Sequence, residues 1–74
     1  MKLSVKEAMY LMVEAKELAR INPGYRFGQA LFNILPKEVT DGIVGTDKDF
    51  FHIEDPLVAS DMFWDNCVDE GKIF

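Results

Sequence analysis

The one histidine of the chain stands in Phe51-His52-Ile53-Glu54-Asp55, beside two carboxylates. A histidine so placed can take up and return protons near neutral pH, or hold a metal weakly. It has no second histidine and no neighbouring cysteine to complete a site, so His52 is read as a loop residue. The one cysteine, Cys67, lies among Phe63, Trp64 and Val68. Apolar neighbours keep a thiol protonated and inert, and Cys67 is read as a buried core residue. Ser4 fits a helix cap better than a nucleophile. Gly42-Ile43-Val44-Gly45-Thr46 lacks the Lys-Ser/Thr pair of a phosphate loop. The residues therefore assign no catalytic group, no metal and no cofactor, and the chain is read as a non-enzyme.

Two polar sets carry more information. Arg26, Gln29 and Asn33 stand at i, i+3 and i+7, which puts them on one face of a helix. A guanidinium beside two amides makes a selective hydrogen-bonding surface. The plainer assignment has Arg26 holding down the Glu54-Asp55 loop. Asp61, Asp65 and Asp69 stand at i, i+4 and i+8 and predict an acidic stripe, with Trp64 beside it. Like charges at that spacing each cost a few tenths of a kcal/mol, about 0.2–0.5 per pair. Such a stripe calls for compensation, either from Lys2, Lys6 or Arg20 or from a partner. Arg26, Gln29, Asn33, Asp61, Trp64, Asp65 and Asp69 are thus the candidate binding residues.

These side chains need elements to hold them. Ser4 and Glu7 have the spacing of a capping box. Leu3 and Ala8 stand where a hydrophobic staple would. Ala8, Leu11, Met12, Ala15, Leu18 and Ala19 then recur at helical spacing, predicting a helix from about Val5 to Arg20. Asn22-Pro23-Gly24 stops it. Phe27, Ala30, Leu31, Ile34 and Leu35 predict a second helix over residues 25–35, with Gly28 as a close crossing point. Lys37 to Asp41 suits one short turn. Residues 43–53 read as an ordered loop with Phe50 or Phe51 as a plug, or as a minimal hairpin. Asp55 as N-cap and Pro56 at the first helical position open a last helix, expected to run to Asp69 or Glu70 with Gly71 ending it.

With 74 residues and a mass of 8.5 kDa the chain makes one domain over residues 1–74. A domain of this size buries only about 60% of its unfolded surface, so a partner chain or self-association is expected to add stability. One cysteine excludes a disulfide within the chain. Eight basic and thirteen acidic residues give a net charge of -5, which argues against direct nucleic-acid binding. The charge is uneven. Residues 1–37 hold six bases and three acids, net +3, and residues 38–74 hold two bases and ten acids, net -8. Either the halves attract one another or the acidic half faces a basic partner. No segment is apolar enough for a membrane span, no signal core is evident, and the free thiol suits the cytoplasm.

Asn22-Pro23-Gly24-Tyr25-Arg26-Phe27-Gly28-Gln29-Ala30-Leu31-Phe32-Asn33, followed by Asp49-Phe50-Phe51-His52-Ile53-Glu54-Asp55, resembles a group of short, uncharacterised bacterial and phage proteins. In these an Arg-x-Gly-Gln-x-x-x-Asn helix precedes an Asp-x-Phe-x-x-Glu-Asp segment and a final helix. The resemblance covers about the middle half of the chain. It implies a compact helical fold and a bacterial or phage setting, with no catalytic residue carried over.

The expectation is an all-α, three-helix domain: a helical hairpin with a third helix packed across it. Its core is expected to hold Leu11, Met12, Ala15, Leu18, Phe27, Leu31, Ile34, Leu35, Phe51, Leu57, Phe63 and Cys67. The expected function is a small acidic protein–protein interaction module of accessory or regulatory type. The alternatives are an acidic mimic of nucleic acid, or a small-ligand site at Arg26, Gln29 and Asn33.

Overall fold

The computed structural model describes residues 1–74. The chain is all-α, with helices α1 (Val5–Ile21), α2 (Phe27–Ile34), α3 (Lys37–Thr40) and α4 (Pro56–Cys67). Its one β-type pairing is an isolated parallel bridge between Leu3 and Val68. Four helices rather than three result because Pro36 starts a separate single turn, α3, after α2.

The capping box opens α1. The amide and the hydroxyl of Ser4 both donate to Glu7 Oε1, at 3.1 and 2.9 Å, and Ser4 Oγ accepts from the Glu7 amide. A helix leaves its first amides without intrahelical acceptors. Here the Val5 amide donates to the Lys72 carbonyl and the Lys6 amide to the Ile73 carbonyl, at 2.8 and 2.9 Å. The C-terminal tail thus closes the first turn of the first helix. Leu3 is buried and pairs with Val68.

α1 and α4 each pack on α2. α1 buries Ala8 and Ala15 and half-buries Leu11, Met12 and Leu18. Small residues let the α1 backbone lie close to its neighbours. α2 begins at Phe27, two residues later than the periodicity predicts, with Arg26 extended at its cap. Gly28 faces the loop before α4. A Cβ there would lie 2.6 Å from the Phe50 carbonyl oxygen and 3.3 Å from Ala59 Cβ. Only a residue without a side chain permits that approach.

Residues 41–53 form hydrogen-bonded turns with no strand. Asp49 organises them, accepting from the Gly45 and Phe51 amides through its two carboxylate oxygens. Gly45 takes a φ of 75°, a left-handed conformation that suits glycine. Phe50 is the plug. It is fully buried, while Phe51 is half-buried. Its ring meets Phe32 edge-on at 5.7 Å and Phe63 at 6.1 Å, joining α2 to α4.

Two expectations for the last helix are corrected. First, α4 ends at Cys67, not at Asp69 or Glu70. Val68 turns extended, the Leu3 amide donates to the Cys67 carbonyl, and the Asp69 amide donates to the Leu3 carbonyl. Pairing with the other end of the chain replaces the helical bonds. Second, Leu57 is 75% exposed rather than core. The Asp55 cap, whose Oδ1 accepts from the Leu57 amide, starts the helix, and Ala59, Phe63 and Cys67, spaced i, i+4 and i+8, form its buried stripe. Leu57, two residues before Ala59, points about 200° away.

Candidate functional site

The candidate binding residues do not converge on one place. Arg26, Gln29 and Asn33 share no hydrogen bond. Asn33 Nδ2 donates to the Tyr25 hydroxyl at 2.8 Å, which ties the end of α2 to the turn before it. Arg26 forms no ion pair with Glu54 or Asp55, contrary to the plainer assignment. It is half-buried, and its Nε is buried without a hydrogen-bond partner.

The acidic stripe is shorter than its spacing predicts. Asp61 and Asp65 lie exposed on α4, but Asp69 has left the helix. Its Oδ1 accepts from the Gly71 amide in the turn that leads into the tail. The chain holds two ion pairs, Arg20–Glu17 and Lys37–Asp41, both exposed. Neither Asp61 nor Asp65 has a base within ion-pair distance, so the basic half does not neutralise the α4 acids by contact. Trp64 is half-buried, not free on the surface. Its Nε1 donates to Met12 Sδ at 2.9 Å and its ring meets Phe63 edge-on, which fastens α4 to α1.

His52 is exposed beside the Phe51 ring and makes no polar contact. No cluster of three or more His, Cys, Asp or Glu residues is placed to hold a metal ion. Cys67 is buried, and burial pushes its thiol above the ordinary value of 9.0. No helix is long and apolar enough to cross a membrane.

The largest concave surface lies elsewhere. An open groove of about 970 Å³ runs from Leu3 along α1 to Leu18, with Ile34 and Pro36 also lining it. Its half-buried lining includes Leu11, Leu18 and Ile34, and its exposed lining carries Lys6 as well as Glu7, Glu14 and Glu17. Tyr10 and Val13 line it and stand 74% and 69% exposed, next to Met9. Hydrogen bonding holds two of the glutamates in their ionised form. The Ser4 amide and hydroxyl hold Glu7 below the usual carboxylate value, and the Arg20 guanidinium does the same for Glu17.

The candidate residues drawn from spacing omitted this face. The signal is present in the chain, since Met9, Tyr10 and Val13 remain as apolar residues once the core stripe of α1 is assigned. A helix with one buried stripe and a second exposed apolar cluster is dressed on two sides. No family model, curated protein or solved structure matches the chain.

Proposed function

We propose that this chain is a small acidic protein–protein interaction module, an accessory or regulatory protein that docks a partner along α1. One observation supports the reading above the rest. Met9, Tyr10 and Val13 stand in solvent on the helix whose opposite side fills the core, and line an open groove. Contiguous exposed apolar surface with a polar rim is the usual mark of an interaction site. The size of the chain points the same way, because a core of this extent gains stability from a bound partner.

The alternative of an acidic nucleic-acid mimic loses its regular row of carboxylates once Asp69 leaves α4. The small-ligand alternative loses its convergence, because Arg26, Gln29 and Asn33 share no contact.

The test is site-specific photocrosslinking in cells of the source organism. A photoreactive residue replaces Tyr10 in one variant and Leu57 in another, since both side chains are exposed. Crosslinking of a discrete protein from position 10 and not from 57 supports the reading. Crosslinks from neither position, or equally from both, count against α1 as the docking face.

A further inference from the structure

We infer that Met12 is an oxidation-sensitive latch between α1 and α4: a hydroperoxide converts its thioether to the sulfoxide, and α4 loses its polar tie to α1. The inference concerns the inner side of α1 and is independent of what docks on Met9, Tyr10 and Val13. It starts from a bond unlike any other in the chain. Trp64 Nε1 donates to Met12 Sδ at 2.9 Å, across 52 residues of sequence. The other side-chain hydrogen bonds join residues at most eight apart, the longest running from Asn33 to Tyr25. Both ion pairs are local as well. α1 and α4 each pack on α2, so this one bond is the polar link between them. Its acceptor is a weak one, and unlike a carbonyl or a carboxylate it changes identity on oxidation.

Met12 also stands where an oxidant can arrive. It is half-buried and lines an open cleft of about 220 Å³, with Lys16 on its own helix and Pro56 and Ser60 on α4. A water takes up about 30 Å³ of the liquid, so a molecule as small as hydrogen peroxide fits. A thioether sulfur has two lone pairs. The Trp64 N–H takes one and leaves the other for the peroxide. The S–O bond forms as the O–O bond breaks. Sulfur gives up two electrons, the proton of the transferred oxygen passes to the leaving oxygen, and water departs. Two thiols reverse the change, ending as a disulfide and water.

The other sulfurs do not fit this role. Cys67 is buried, and burial holds its thiol protonated. Met1 and Met9 are exposed and open to oxidation, but Met12 is the one methionine whose sulfur accepts a hydrogen bond. Once oxidised, that sulfur is partly positive and no longer accepts the indole N–H. The new oxygen accepts well but stands one bond further out, so the indole must move or go without a partner. The Trp64 ring meets Phe63 edge-on at 6.0 Å, and Phe63 meets Phe50. A shift of the indole therefore reaches the rings that join α2 to α4.

Titration of the intact chain with hydrogen peroxide tests the inference, and Trp64, the one tryptophan, is its own fluorescent reporter. Peptide mapping by mass spectrometry gives the sulfoxide fraction at each methionine. Emission should move to longer wavelength in step with Met12 sulfoxide. The folding constant from urea unfolding should fall by about 10-fold, as for a half-buried donor left without its acceptor. The two epimer-specific methionine sulfoxide reductases, with dithiothreitol, should restore both. Met12→Leu, which keeps the volume, should show neither response, while Met9→Leu should show both. If Met12→Leu misfolds, the wild-type correlation decides, and an emission change that tracks Met9 or Met62 sulfoxide overturns the latch. So does a Met12 that stays a thioether until the chain unfolds, a Met12 sulfoxide that leaves emission and stability unchanged, or a loss that the reductases do not reverse.

Discussion

Leu3 and Val68 lie side by side in parallel extended backbone, both buried, with Leu3 bonded through its amide to Cys67 and through its carbonyl to Asp69. This pairing joins the entry to α1 and the exit from α4, and ends the helix at Cys67. Leu3 is nearly as buried as Phe63 at the centre of the core.

Leu3→Ala should therefore destabilise the fold by about 2–4 kcal/mol, as for any large buried aliphatic residue. Urea unfolding at neutral pH would measure it. A change below about 1 kcal/mol would mean the terminal pairing adds little to the core.

Gly28→Ala should also destabilise, although alanine is favoured over glycine in a helix by about 1 kcal/mol. The new Cβ would lie 2.6 Å from the Phe50 carbonyl oxygen, a backbone atom that cannot rotate away. Relief requires the loop to move off α2, at a cost of about 1–3 kcal/mol that exceeds the propensity gain. The same unfolding assay gives the sign.

Stability should fall with acidification through Glu7. Its folded carboxyl is held below the ordinary value of 4.5 by the Ser4 amide and hydroxyl. A depressed folded value adds stability that is complete above the unfolded value and lost as pH falls through the folded one. Urea midpoints should thus be flat above about pH 5 and decline below about pH 4. Glu7→Gln should lower the midpoint at neutral pH and make the acid decline shallower. An unchanged acid slope in that variant would assign the effect to Glu17, which Arg20 also holds low.

Cys67 should resist thiol reagents in the native state. It is almost wholly buried and its thiol is pushed above 9.0 by that burial. Labelling with an aromatic disulfide at pH 8 should be slow, and rise steeply through the urea transition. Prompt labelling of the folded chain would contradict its placement.

Asp61→Asn and Asp65→Asn, made singly, should leave the fold intact and raise stability by a few tenths of a kcal/mol, about 0.2–0.5, at low salt. The gain should vanish at high ionic strength. A clear loss of stability would show that one of these carboxylates is internally compensated.

The helix starts were legible because their signals are local. Ser4 and Glu7 are three residues apart, and Asp55 and Pro56 are adjacent. The end of α4 was not, because Val68 takes its partner from the opposite end of the chain and no spacing encodes that choice. Leu57 was misplaced for a related reason. Its type suits a core, but the buried stripe of Ala59, Phe63 and Cys67 leaves Leu57 on the outer face. Trp64 and Arg26 read as surface residues by type, whereas contacts with Met12 and burial of Nε decide otherwise. The α1 groove is also lined by Ile34 and Pro36, which only the folded α2–α3 corner supplies.

The carbonyls of Lys72 and Ile73 that cap the first turn of α1 have a consequence for synthesis. The ribosome makes α1 before α4 and reaches these acceptors only after it. Until residues 68–73 emerge, two amides of that first turn lack their carbonyl acceptors and Leu3 lacks Val68. The start of α1 is thus completed by residues that follow α4.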